Sequence, residues 1–317
     1  MQKYRFPVLA ISGSLIAAVL VAGCSGAGSE GDKAQGGGDG LQVQYATPSR
    51  VPEIKSAEIP ALPIEGYLVS QKEKDQILRA SRTLAKGCMA RYGFDFSWNA
   101  ASGRKSEPDD NAANRSRRYG IVDHAMASEL GYGNAAVEVE DTSGDSSSAQ
   151  MSEAASRVFL GNSDPLLKVA KDAEVNGIKI PEGGCSGEAK RKVGNGLSNR
   201  TANDINLASF QVSLNDGQVK TAMKEWSDCM KRSGYDYASP LDPLKTMGMR
   251  APTPEEKATA AADVQCKYET NLIGIWNAVE TEIQKAMIGN KEEILENGRR
   301  ETDRSLRNAA DVLSGKS

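Results

Sequence analysis

The sequence predicts a mainly α-helical protein built from two unequal helical units, each stapled by one disulfide, with a long helix near the C-terminus. Three observations lead to this prediction. A nine-residue motif containing cysteine occurs twice, strong helix-start motifs precede apolar residues at helical spacing, and strand patterns are few. A chain of 317 residues is long enough to bury a core without depending on many disulfides.

The repeated motif is Cys88–Phe96 in its first copy and Cys229–Tyr237 in its second. Five of the nine positions are identical, and two more exchange Phe for Tyr. A Cys-x-x-Glu element follows each copy, at Cys185 and at Cys266. The paired elements lie 97 residues apart in the first unit and 37 in the second, so the first unit carries an insertion of about sixty residues.

Four cysteines remain beside Cys24, and an even number in an exported chain favours two disulfides. Four cysteines allow three pairings, of which the repeat favours Cys88–Cys185 and Cys229–Cys266. A zinc site is the alternative, but the chain has no Cys-x-x-Cys element and a single histidine. We therefore expect no metal ion and no cofactor.

The N-terminal residues have the parts of a secretory signal. A positive start is followed by the apolar run Phe6–Val21 and then by Val21-Ala22-Gly23-Cys24. This segment resembles the signal peptide of bacterial lipoproteins, which implies cleavage before Cys24 and acylation of that cysteine, for example with palmitate. An uncleaved membrane helix is the alternative, but about 16 apolar residues are short for a span. A second alternative is an ordinary cleaved signal peptide in which the cysteine is incidental.

We divide the chain into a signal peptide (1–23), a lipid-anchored Gly- and Pro-rich linker (24–65) and a helical domain (66–317). Ser25–Gly40 contains seven glycines and no large apolar residue, which predicts a flexible tether. Within the helical domain, unit one covers about residues 66–200 and unit two about 213–313.

Helix-start motifs precede three predicted helices. Ser70 and Glu73 form a capping box that predicts a helix to Tyr92. A helix from Asp216 to Gly234 is its counterpart. Thr253-Pro254 predicts a long helix through Met287, which Gly289-Asn290 bends or ends before a helical segment over 291–313. Weaker patterns predict short helices over Asp123–Leu130, Ser152–Phe159 and Pro165–Ala173, and show strand-like alternation over Ala136–Glu140 and Phe210–Leu214.

The repeated Cys-Met elements, the stretch Ala262–Cys266, and the pairs Tyr119-Gly120 and Gly131-Tyr132 are similar to a group of uncharacterised actinobacterial lipoproteins. The resemblance covers most of residues 66–313. It implies the helical architecture and an envelope location, and it implies no chemistry.

No pattern in the chain points firmly to catalysis. His124 has no nucleophile-elbow serine to partner it, and we expect it to be an exposed residue at a helix start. Glu188 and Glu269 occupy equivalent places in the two units, which repetition explains better than paired-carboxylate catalysis. The remaining candidates are Asp95 and Asp236 as turn residues, Trp226 and Trp276 as core, Trp98 as an exposed sugar-stacking residue, and the acidic cluster Glu140–Asp145, which lacks calcium-loop spacing.

We therefore expect a non-enzymatic, lipid-anchored binding or interaction module on the extracytoplasmic face of the cell membrane. The membrane, through Cys24, and an envelope protein are the expected partners. The net charge is −3, or −5 without residues 1–23, so nothing favours nucleic acid as a partner. The alternatives are a cell-surface hydrolase acting on envelope glycans or peptides, and a small-molecule receptor for uptake or sensing.

Overall fold

The computed structural model describes residues 33–35, 43–96, 111–133, 151–167, 169–170, 172–245 and 251–316, all within one unit, Asp32–Ser317. Helices make up most of these residues. The helices are α1 (Gln71–Arg91), α2 (Arg115–Arg118), α3 (His124–Leu130), α4 (Glu153–Leu160), α5 (Gly184–Val193), α6 (Arg200–Ser213), α7 (Gly217–Arg232), α8 (Pro254–Glu269), α9 (Leu272–Gly289) and α10 (Glu292–Leu313). Two short antiparallel pairs accompany them: β1 (Lys33–Gln35) with β2 (Gln44–Ala46), and β3 (Glu174–Val175) with β4 (Ile178–Lys179).

The two motif helices, α1 and α7, begin and end as predicted. At α1 the Glu73 amide donates to Ser70 Oγ at 3.3 Å, and the Ser70 amide donates to Glu73 Oε2 at 2.8 Å. At α7 the Asp216 carboxylate accepts from the second and third amides of the helix. Gly93 and Gly234 follow the helix ends with φ of +79° and +91°, a conformation that glycine adopts without strain.

Both predicted disulfides are confirmed. Cys88–Cys185 links the end of α1 to the first turn of α5, and Cys229–Cys266 links α7 to α8. The Cα–Cα distances are 5.5 Å and 5.7 Å, as is usual for disulfides.

The two units defined by the repeat do not divide the core. The C-terminal helix α10 contributes Ala309 and Val312 to a cluster with Ile77 of α1 and Val193 of α5. In the other direction, α3 lies in the insertion of unit one but packs on α8 of unit two through Ala127 and Val264, among others. The apolar core around each unit therefore includes side chains from helices of the other unit.

The single long helix predicted after Thr253 is wrong, because the chain breaks between α8 and α9. Asn271 adopts φ +50°, a left-handed conformation that Asn tolerates better than most residues. Its side chain accepts from the Ile54 amide at 3.0 Å and donates to the Pro52 carbonyl at 2.9 Å. The break thus positions an amide that binds a distant extended segment.

That segment corrects the predicted linker. Residues 43–69, which we call the N-terminal strap, pack on the core instead of forming part of a free spacer. Its apolar residues are buried, namely Tyr45, Ile54, Ile59, Leu62, Ile64, Leu68 and Val69. The prolines of this segment led to the prediction of a stiff spacer. However, an extended chain with apolar residues along one side can also pack against a helix. Pairing of β1 with β2 places strand structure inside the predicted tether as well.

Helix α9 holds the strap through a row of polar side chains. Besides Asn271, Asn277 Nδ2 donates to the Pro60 carbonyl at 3.1 Å, and Gln284 Oε1 accepts from the Ile64 amide at 3.0 Å. These contacts satisfy a backbone carbonyl of the extended part of the strap and an amide in the first turn of its 3₁₀ helix, Pro63–Tyr67.

Two local predictions were wrong or incomplete. Phe210–Leu214 forms the end of α6 because its neighbours continue a helix from Arg200, although the five residues alone alternate like a strand. Within Pro165–Ala173, the described residues form a single 3₁₀ turn over Pro165–Leu167. Helices α5 and α6 were not predicted, and Ala136–Glu140 lies outside the described residues. By contrast, α3 and α4 are confirmed, with caps from Asp123 and Ser152.

Gly274 of α9 gives a test of the strap. A Cβ at this position would lie 2.0 Å from the Pro52 carbonyl oxygen, so the strap requires a glycine here. We expect Gly274→Ala to lower the free energy of unfolding by about 1–3 kcal/mol, although Ala is the better helix former. The measurement is urea denaturation followed by circular dichroism.

Gly289, at the end of the same helix, is the matched control. A Cβ there would meet nothing within 4 Å, so Gly289→Ala should be neutral or stabilising by up to about 1 kcal/mol. Equal effects of the two substitutions would contradict the packing of the strap on α9.

Candidate functional site

His124 is the first residue of α3 and is exposed, as the sequence predicted. The neighbouring Asp123 carboxylate accepts from the Met126 amide at 3.0 Å and so acts as the helix cap. Among the described residues, the imidazole takes part in no hydrogen bond or ion pair, whereas a triad requires both an acid and a nucleophile beside it.

The two equivalent glutamates lie one turn beyond a disulfide cysteine, as their spacing implied. Glu188 is 2.5 Å from Arg91 Nη2 and 3.3 Å from Lys192 Nζ. Partial burial opposes ionisation of Glu188, but its bonds to these two cations outweigh it and lower the pKa. Glu269 accepts from Gln265 Nε2 at 3.1 Å on its own helix. Both carboxylates are therefore engaged locally.

Of the remaining candidates, Trp226 and Trp276 are fully buried, which confirms that they belong to the core. The Trp226 indole donates to Asp263 Oδ1 at 2.9 Å, and the Trp276 indole donates to Ser213 Oγ at 2.7 Å. Asp236 pairs with Lys231 at 3.6 Å on the surface, and Asp95 follows α1 in the equivalent turn. Trp98 and Glu140–Asp145 lie outside the described residues.

A buried ion pair within α8 is the first feature that the sequence did not predict. Asp263 and Lys267 are four residues apart, and both side chains have zero exposure. Lys267 Nζ donates to Asp263 Oδ2 at 3.1 Å and to the Ile121 carbonyl at 2.8 Å. Burial raises the pKa of Asp263 and lowers the pKa of Lys267, and the attraction between the two opposes both shifts.

The Tyr132 hydroxyl lies beside this pair. Burial and the Asp263 carboxylate raise its pKa, and the hydroxyl makes no hydrogen bond of normal length within the described part of the chain. Arg117 fixes the Tyr132 backbone by donating to its carbonyl at 3.0 Å. The three side chains are buried, and the cluster connects residues on both sides of α3, Ile121 and Tyr132, to α8.

A second buried network surrounds Glu280 of α9. Arg118 forms an ion pair with it, donating from Nε at 2.9 Å and also from Nη2. Tyr119 Oη donates to Glu280 Oε2 at 3.0 Å, and Ser209 Oγ donates to Oε1 at 2.8 Å. Arg118 also donates to Asn206 of α6, and its guanidinium lies 5.1 Å from the Phe210 ring centre. Every carboxylate oxygen has a donor, which is typical of a structural network.

A cavity of about 360 Å³ lies between the turn after α4 and the β3–β4 hairpin. Its lining is mixed: Asn162, Val169, Ala170, Lys179, Ile180, Pro181 and Glu182. The Asn162 side-chain oxygen Oδ1 accepts from the Gly183 amide at 2.8 Å, and Lys179 pairs with Asp172. The volume suits a small organic molecule, so this cavity is a candidate ligand site.

Comparison of the chain with models of known protein families, with curated protein sequences and with solved structures finds no match. Within the described ranges, no three His, Cys, Asp or Glu side chains come together as metal ligands do. Among the helices of those same ranges, none combines the length and the apolar character that a membrane span requires.

Proposed function

We propose that the protein is a lipid-anchored binding module on the extracytoplasmic face of the cell membrane. The main support for this proposal is the pairing of the cysteines. Four of the five cysteines close two disulfides, which are typical of an oxidising compartment, and the fifth is Cys24 at the end of the lipoprotein-like signal. An odd cysteine in an exported chain calls for a separate role, and acylation supplies one.

The strap limits how far the module reaches from the membrane. Pairing of β1 with β2 holds Lys33 opposite Ala46 of the strap, so the nine residues 24–32 separate Cys24 from the packed chain and span at most about 30 Å. A random Gly-rich segment of nine residues has an r.m.s. reach of about 15–18 Å. The module is therefore held close to the bilayer, where a membrane-bound partner or an envelope component meets it.

We infer binding rather than catalysis from the state of the acidic side chains. Glu188 forms ion pairs with Arg91 and Lys192, and Glu280 forms one with Arg118. A general acid or base must be free to exchange a proton with a substrate, and carboxylates held in ion pairs do so poorly.

The anchor is tested by growing cells with an alkyne-bearing fatty acid and comparing the native chain with a Cys24→Ala variant. We expect the native chain to carry label and to partition into detergent, and the variant to show background labelling and precursor length. The variant keeps all four disulfide cysteines, so its fold serves as the internal control. Label retained by Cys24→Ala, or a native chain without label, would contradict the proposal.

The cavity beside the β3–β4 hairpin favours a small-molecule receptor as the second candidate function. Asn162, Lys179 and Glu182 offer polar contacts beside the apolar residues of the lining, as in ligand sites. Ligand-observed NMR with a library of small organic fragments distinguishes this candidate. Binding that is lost when Ala170 is replaced by Trp, but not when the exposed Ala154 is, would support it.

A further inference from the structure

The charge of the protein is distributed unevenly between the two disulfide-linked helix pairs. Helices α1 and α5 together contain nine basic and three acidic residues, a net charge of +6. The equivalent pair, α7 and α8, contains six of each and is neutral. Since the whole chain carries −3, everything outside α1 and α5 carries −9. The pair α1–α5 is therefore a basic surface on an acidic protein.

The basic side chains of this surface are largely exposed, and three of them lie in a row along α1. Lys72, Arg79 and Lys86 are exposed and spaced by seven residues, so they follow one side of α1 over about 21 Å. In the last turn of α5, Lys190, Arg191 and Lys192 are exposed as well. The Cys88–Cys185 disulfide holds the two helices together.

The three acids of this surface offset only part of its charge. Glu73 is bonded to Ser70 and pairs with Arg299 of α10, and Asp75 accepts from the neutral Gln71 amide at 2.8 Å. Glu188, the only acid of α5, pairs with Arg91 and Lys192. On α7, by contrast, Lys224 pairs with Asp228 at 2.6 Å and Lys231 pairs with Asp236.

We propose that the α1–α5 surface binds an anionic phospholipid bilayer and orients the anchored domain on it. This proposal rests on the proposed anchoring at Cys24, which holds the domain within reach of the membrane and raises the effective lipid concentration. Each Lys or Arg near an anionic bilayer contributes about 1 kcal/mol, and the acidic remainder of the protein is repelled by the same surface. The large exposed apolar side chains of the described residues all lie outside α1 and α5, so the contact is electrostatic and does not insert.

The test uses the mature chain, residues 24–317, with Cys24→Ser so that no acyl chain contributes. The probes are vesicles of phosphatidylcholine alone and vesicles of phosphatidylcholine mixed with phosphatidylglycerol, assayed by co-sedimentation. We expect binding to the anionic vesicles alone, and we expect it to disappear when the salt is raised from about 0.1 M to about 0.5 M. No binding to anionic vesicles at low salt would overturn the proposal.

Two variants with the same change in net charge distinguish a defined surface from overall charge. Replacing Lys72, Arg79, Lys86 and Lys190 with Gln should weaken partitioning by at least about tenfold. Replacing Lys220, Lys224, Lys231 and Arg232 on α7 with Gln should change it less than about twofold, because two of these are already paired with acids. Circular dichroism checks the fold of both variants.

Equal losses in the two variants would overturn the proposal, since they would assign the effect to net charge. Binding to soluble polyphosphate without binding to vesicles would also overturn it, in favour of an anionic polymer. Because the assay uses a chain without an acyl group, its failure leaves the fatty-acid labelling result unaffected, and the two proposals fail separately.

Discussion

Replacing Lys267 with methionine is expected to lower the free energy of unfolding by about 3–5 kcal/mol, because Asp263 would then be a buried charge without a partner. Both side chains have zero exposure, and the Lys267 ammonium also donates a hydrogen bond to the Ile121 carbonyl at 2.8 Å. Methionine fills a similar volume, so the loss reports on charge and hydrogen bonding and not on a cavity. Urea denaturation at neutral pH measures it.

The same variant should become less stable as the pH rises. Burial raises the pKa of Asp263 in the folded protein, and removal of Lys267 takes away the main opposing influence. The folded state then binds more protons than the unfolded state, so stability falls between the ordinary Asp pKa of about 4 and the raised one. A urea midpoint that rises with pH over this range would contradict the assignment.

A double variant provides the control. Asp263→Asn keeps an oxygen that accepts from the Trp226 indole while it removes the charge. We expect Asp263→Asn combined with Lys267→Met to recover more than half of the stability lost by Lys267→Met alone. If the double variant is as unstable as the sum of the single variants, the two charges are not coupled in the fold.

Removal of the Cys88–Cys185 disulfide is expected to cost more than removal of Cys229–Cys266. The two bonds close loops of 97 and 37 residues, for which chain entropy gives about 4.7 and about 3.8 kcal/mol. Paired Cys→Ala variants are suitable for both because all four cysteines are buried, so the cavities created are similar.

Thermal and urea unfolding of the two double-alanine variants test this order. The native protein in reducing agent, where both bonds are open, should be less stable than either variant. A larger loss for the shorter loop would show that local packing around α7 and α8, and not loop length, dominates the stabilisation by these disulfides.

Much of the fold could be predicted because its signals are local. Ser70 and Glu73 are three residues apart, and so are the groups that cap α3, α4 and α8. The disulfide pairing could be predicted because the same cysteine-containing elements occur twice in the chain. Helices α5 and α6 were missed because Gly184, Gly187 and polar residues obscure their apolar faces, which are completed only by neighbours such as Cys88 and α9.

The candidate site was less predictable than the fold. Nothing local indicates that Lys267 is buried, since an Asp and a Lys four residues apart on a helix normally form an exposed pair. The cavity beside Asn162 exists because the β3–β4 hairpin folds back over the turn after α4, and that arrangement involves segments with weak secondary-structure patterns.

The sequence by itself determined the helical class, the helix caps, the two disulfides and the expectation of an acylated Cys24, since each depends on residues close together or on a repeated pattern. Only the tertiary structure decided that residues 43–69 form a strap, that Asn271 breaks a helix, and that Lys267 is internal. The Ile54–Asn271 and Lys267–Ile121 contacts join residues 217 and 146 positions apart. Such contacts depend on the packing of the whole chain, because α9 covers the apolar side chains of the strap and supplies the partners of its backbone groups.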